Sequence, residues 1–170
     1  YLYFPSKAEL LIQVLAFESE AYFEQLLPVF ASQDAPIERL RQFLDLGIKH
    51  NDASPLLAKL RAKDGDLQFA LLEADTQKGA MRDYLQTEIL LLEGLVRATL
   101  APEVAASRLR QLTSILYDLL VGYMLLPDSL RKTGREERSV MIDYVLTGLT
   151  PAGRFCASTD GKATQMVAHP

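Results

Sequence analysis

Cysteine occurs once in these 170 residues, at Cys156, which excludes an intrachain disulfide and with it an extracellular disulfide framework. Histidine occurs twice. His50 reads as a helix-ending polar residue, and His169, like Cys156, lies too far from any partner to suggest a metal site. Basic charge is not in excess: the net charge is −4 and the sequence pI is about 5.2. An acidic chain does not look like a self-sufficient nucleic-acid binder, whose affinity depends on Lys and Arg neutralising phosphates. No apolar run reaches transmembrane length, no signal peptide is visible, and no glycine loop of the phosphate-binding kind occurs. Strand-like alternation is also missing.

What is present is helical periodicity in a chain that is 49% hydrophobic, enough for one globular domain with a substantial core. From Ser6 to about Ser32 the apolar residues Leu10, Leu11, Val14, Leu15, Phe17, Tyr22, Leu26 and Leu27 recur at three- and four-residue steps. Pro28 is expected to kink or close this helix. Pro36 opens a second helix carrying Ile37, Leu40, Phe43, Leu44 and Ile48 to Asn51-Asp52, and Pro55 opens a short third to about Lys63. Asp64-Gly65-Asp66 resembles part of a calcium loop but lacks the further ligands and terminal glutamate, and reads as a turn. A helix from Leu67, a break at Gln77-Lys78-Gly79 and a stronger helix over 80–99 follow. Pro102 is expected to open the next helix, ended by Pro127-Asp128, and Arg135 to Leu149 makes the last. The fold class is all-α. After Leu149 the punctuation of Thr150-Pro151-Ala152-Gly153 and Ser158-Thr159-Asp160-Gly161 predicts an irregular tail over 151–170.

The chemistry-bearing candidates are sparse. Glu18, Glu88 and Asp118 interrupt otherwise apolar helices, but sequence does not bring any two together as an acid–base pair. The expectation is therefore a protein that is not an enzyme and holds no metal or cofactor.

The richest segment is Tyr1-Leu2-Tyr3-Phe4-Pro5-Ser6-Lys7-Ala8-Glu9-Leu10. Ser6 to Glu9 has capping-box spacing, a cap whose loss typically costs about 1 kcal/mol. Pro5 biases Phe4 away from helical geometry, and Lys7 places a positive charge where the helix dipole disfavours it. The string resembles the junction between the DNA-binding and effector domains of the TetR family of bacterial regulators, whose usual pattern is Tyr-x-(His or Tyr)-Phe-x-(Ser or Asn)-Lys-x-x-Leu.

The resemblance implies a division of the chain: 1–5 as the remnant of a DNA-binding domain, 6–150 as a ligand-binding and dimerisation domain, and 151–170 as the tail. It implies that Tyr1, Tyr3 and Lys7 lie near operator phosphates and that the base-reading helix-turn-helix precedes Tyr1. It places an effector site among the helices from Ala35 to Tyr123, where Phe43, Leu60, Met81, Tyr84, Leu92 and Tyr117 would supply walls and Glu88 or Arg61 a polar anchor. Aromatic and Met residues at helical spacing are more often plain core, so only some of these are expected to touch a ligand. The last two helices carry Gly122 and Gly148 amid apolar residues, and Gly148-Leu149-Thr150-Pro151 ends the final one much as the family's terminal Gly-Leu-x-Pro does. The implied homodimer is a four-helix bundle formed by Leu112, Ile115, Leu119, Gly122, Tyr123, Met141, Tyr144, Val145 and Gly148. Function follows as a cytoplasmic, ligand-responsive regulator, a repressor released from its operator DNA by a small apolar or amphipathic effector. A helical protein–protein interaction module without DNA binding is the alternative, with a small-molecule carrier or enzyme in the same helical shell behind it.

Overall fold

The computed structural model describes residues 3–62, 64–78, 80–131 and 134–149, with the backbone alone described at 74–78, 80–84 and 128. Tyr1 and the expected tail over 151–170 lie outside these residues. Seven α-helices account for nearly all of the described chain: α1 Lys7–Ala31, α2 Pro36–Ala53, α3 Pro55–Arg61, α4 Gly65–Lys78, α5 Ala80–Thr99, α6 Ala106–Leu125 and α7 Arg135–Thr147. A short 3-10 turn, Asp128–Leu130, precedes α7, and no strand occurs among the described residues. The chain is all-α.

Local chemistry explains most helix starts. The Ser6 hydroxyl accepts from the Glu9 amide at 3.0 Å and starts α1. Pro36 and Pro55 each occupy the first turn of a helix, where a missing N–H costs nothing. Ser54 caps α3 by accepting from the Leu57 amide at 3.1 Å. Asp64 accepts from the Leu67 amide at 3.0 Å, so the Asp64-Gly65 turn is the opening of α4.

Of two further prolines, one departs from expectation. Pro28 lies inside α1, which continues to Ala31. Pro102 does not open α6. The Val104 amide bonds the Ala101 carbonyl at 3.1 Å, a β-turn with Pro102 at its second position, and the helix begins only at Ala106. Proline presets the backbone angle for either role, and here the turn takes it.

The larger of two core clusters is drawn from five helices: Tyr22 and Leu26 of α1, Leu40, Phe43, Leu44 and Ile48 of α2, Leu92, Leu95 and Val96 of α5, Leu109, Leu116 and Leu120 of α6, and Ile142 and Leu146 of α7. Full burial of one such side chain contributes about 1.5–3 kcal/mol. The central element is α2, which packs against α1, α3, α5, α6 and α7. A smaller cluster of Leu11, Leu56, Leu67 and Ala70 joins α1, α3 and α4. Leu10, Phe17 and Leu27, expected in the α1 stripe, are exposed, because α1 is covered along one side only.

Helix α7 is pinned to α2 by charge. Arg41 pairs with Asp143, and Arg138 reaches Asp45 at 3.4 Å and Asp52 at 3.8 Å. Arg131, just before α7, also pairs with Asp52, and its guanidinium lies 5.4 Å from the centre of the Tyr123 ring.

Candidate effector site and apolar face

Glu18 and Tyr22 stand one turn apart on α1 and point to the interior. The Tyr22 hydroxyl donates to Glu88 Oε1 at 3.2 Å, across 66 residues of sequence. Ser54 donates to Glu18 Oε2 at 2.8 Å while capping α3 with the same oxygen. The Tyr22 ring stacks on His50 of α2 with centroids 4.7 Å apart. Gly47, one turn before His50, makes room for this arrangement, since a Cβ there would stand 3.2 Å from the Tyr22 hydroxyl oxygen. One turn of α1 is thus tied to α2, α3 and α5 together.

Electrostatics follow from burial. Glu88 is 3% exposed, and desolvation raises its carboxyl above the usual range against the opposing pull of the Tyr22 hydrogen bond. His50 is shifted downward by desolvation, opposed by the Glu18 carboxylate. Tyr117 on α6 is shifted upward, first by burial and then by the charges of Glu88 and Asp118. Its hydroxyl, and that of Thr113 one turn earlier, have no hydrogen-bond partner among the described residues.

The residues expected to line an effector site fall into two groups. Phe43 and Leu92 are fully buried in the main core, and Glu88 and Tyr117 are close enough for the charge of one to act on the other. Leu60 belongs to the smaller cluster instead. Arg61 donates to the Asn51 carbonyl at 3.1 Å and to Asn51 Oδ1 at 2.8 Å, which ties the end of α2 to α3. Arg61 is therefore engaged in joining two helices. The side chains of Met81 and Tyr84 lie outside the described residues. Tyr22, His50 and Gly47 were not among the expected site residues; the signal for Tyr22 was its position four residues after Glu18 on an apolar stripe.

At the amino-terminal end Tyr3 is 87% exposed. Lys7 stands 3.7 Å from Asp66, both side chains being largely exposed.

Of the expected dimer residues, Leu119, Gly122, Tyr123, Met141, Tyr144 and Val145 line two grooves on α6 and α7. Ile115 and Leu119 of α6 are 54% and 55% exposed, and Tyr144 of α7 is 83% exposed. Between the helices runs an apolar groove of about 380 Å³ lined by Leu119, Gly122, Tyr123, Met141 and Val145 together with Leu116. A second groove adds Tyr144 and Val140. Leu112 packs against the core, and Gly148 caps α7. Nothing lies within 4 Å of a Cβ built on Gly122.

Among the described residues, no three His, Cys, Asp or Glu side chains are grouped to hold a metal ion, and no helix is long and apolar enough to cross a membrane. Fold and site define a class: an all-α domain with a buried polar cluster beneath one helix and an exposed apolar face on two others. No protein-family model, curated protein or solved structure matches the chain.

Proposed function

We propose that this chain is the effector-binding and dimerisation part of a TetR-like transcription regulator, working in the cytoplasm as a repressor that a small apolar or amphipathic effector releases from its operator. The observation that carries this reading is the continuity of α1. The segment Tyr3-Phe4-Pro5-Ser6-Lys7 opens the same helix whose Glu18 and Tyr22 bind Ser54 and Glu88 in the interior. A molecule that resets the interior contacts therefore shifts the end of the helix that bears the DNA-facing turn.

For this device to work, the effector must prefer one setting of α1. Taking the operator-competent population from nearly complete to nearly absent requires about 10⁴-fold differential affinity, or about 5.5 kcal/mol. A second copy of the chain covers the α6–α7 face, giving the two-fold symmetry that a two-half-site operator demands.

The test uses the full gene product and DNA from its own promoter, by fluorescence anisotropy at low and moderate salt. The expected result is salt-dependent binding by a dimer. A gene product that leaves that DNA unbound at low salt defeats the regulator reading. The exposed apolar face supports a second reading, an interaction module that docks another protein's helix; a monomeric chain without DNA affinity is its signature.

A further inference from the structure

We propose that the slot between α6 and α7 receives a basic amphipathic helix from a partner protein, in competition with a second copy of this chain. Such docking rests on the interaction reading above and names the chemistry of the partner. Under the regulator reading it supplies a way of parting the dimer.

The slot follows from how the last helices are laid down. Both α6 and α7 pack against α2, and hardly against each other. Leu44 and Ile48 of α2 close the floor of the gap, and Leu116, Gly122, Met141 and Val145 form its walls. Gly122 leaves one wall open, since nothing stands within 4 Å of a Cβ built there. The second groove joins the first at Tyr123 and Met141, which line both, and continues past Val140 and Tyr144. The result is a trough along α7, whose 13 residues span about 20 Å at the helical rise.

Shape selects a helix. A gap between two helices on a common floor accepts a third by ridge-into-groove packing, apolar stripe inward. Leu119, Val140 and Tyr144 stand exposed along the trough, where such a stripe covers them.

Charge selects its sign. The charged residues lining the two grooves are Asp118, Glu136 and Glu137, all exposed carboxylates. Arg131 and Arg138 lie beside these in sequence, but their side chains turn to α2, where Asp45 and Asp52 receive them. An apolar trough with an acidic rim is complementary to a helix that flanks its apolar stripe with Lys or Arg. The same rim repels phosphate, whether on nucleic acid or on an anionic membrane. A second copy, being identical, brings the same three carboxylates on its own groove walls and no lining cation with them. The basic helix therefore has the electrostatic advantage over the copy.

Three labelled synthetic peptides of about four helical turns separate the outcomes by fluorescence anisotropy with the full gene product. One has Leu and Lys at helical spacing, one Leu and Glu at the same spacing, and one Leu and Lys in strict alternation. The first is expected to bind, the second not, and the third about tenfold more weakly than the first. Glu136→Gln with Glu137→Gln should weaken the first about tenfold at low salt and less at moderate salt. Val140→Ser with Tyr144→Ser should weaken it at both. All four residues are exposed, so the fold is not at stake. Glu20→Gln with Glu24→Gln, on the exposed side of α1, should change nothing. Equal binding of the Lys and Glu peptides, or an equal loss from the α1 change, overturns the charge assignment and the proposal with it. Sedimentation velocity reads the competition: the first peptide should lower the dimer fraction, and a dimer that persists with the peptide bound overturns the shared site. Failure of the first peptide to bind overturns this docking, while the two readings above are decided by operator binding and oligomeric state.

Discussion

The Tyr22 hydroxyl of α1 donates to the Glu88 carboxylate of α5, and this bond joins the helix that follows Tyr3-Phe4-Pro5 to the middle of the core. Tyr22 is 1% exposed, so its hydroxyl is shielded from bulk water. Breaking the bond leaves a buried acceptor unsatisfied.

Tyr22→Phe removes the donor and little else. We expect a loss of about 1–3 kcal/mol of unfolding free energy, the usual range when a buried partner, here a carboxyl, loses its hydrogen bond. Urea unfolding followed by circular dichroism measures it; an unchanged midpoint would show that Glu88 finds another donor.

Glu88 and His50 give the stability opposite slopes with pH. The folded Glu88 pKa lies above its ordinary 4.5, so the folded state holds its proton more tightly. Its contribution is full below 4.5 and is lost as pH rises through the raised folded value. The folded His50 pKa lies below 6.5, so its contribution is present above 6.5 and is lost as pH falls through the depressed folded value. Glu88→Gln should flatten the loss on the rising side, and His50→Gln the loss on the falling side. Urea midpoints taken across this window read both slopes; an unaltered slope in either variant refutes that assignment.

Gly94 and Gly47 should respond oppositely to alanine. Helix propensity alone favours alanine by about 1 kcal/mol. Gly94 has nothing within 4 Å of an added Cβ and should show that gain. At Gly47 the added atom meets the Tyr22 hydroxyl at 3.2 Å, and Tyr22 is fixed by its stack on His50 and its bond to Glu88. Gly47→Ala should therefore destabilise, by about 1 kcal/mol net. Equal gains at both sites would mean that Tyr22 yields easily.

Gly122 is open in the single chain, so Gly122→Ala should stabilise the monomer as Gly94→Ala does. If a second copy packs there, the same change weakens association, and Leu119→Glu abolishes it by burying a charge in an apolar contact. Sedimentation velocity over a dilution series tests both. A Leu119→Glu protein that still dimerises moves the interface elsewhere.

Ser6→Ala should cost about 1 kcal/mol through loss of the cap on the Glu9 amide. Because α1 fixes the turn at Tyr3-Phe4-Pro5, hydrogen exchange should quicken first in residues 7–10, and equal exchange there in both proteins would contradict the cap's role.

Helix positions were legible where their starts carry their own chemistry: Ser6, Pro36 and Pro55 each act through neighbours in sequence, whereas Asp64, expected only as a turn closing α3, opens α4. Pro102 misled because proline suits both a turn and a first helical turn, and only the Ala101–Val104 bond decides between them. The site was half legible. An acid at 88 within an apolar helix marks something unusual, but periodicity assigns a face and not a partner, so Tyr22 and His50 could not be matched to it. Leu60 and Arg61 were grouped with Phe43 for the same reason. A stripe does not say which of two clusters it joins, and α3 turns out to serve the smaller one.

The pairing of α7 with α2 has a consequence for whatever meets the outer face. Arg41 must stand opposite Asp143, and Arg138 between Asp45 and Asp52. A pure grease contact tolerates slippage, since one leucine replaces another. Charges do not: sliding α7 by a turn would strand carboxylates and guanidinium groups in a partly dry seam. The spacing of Met141, Tyr144 and Val145 against Leu119 and Gly122 is thereby set like the teeth of a key, cut before any lock arrives.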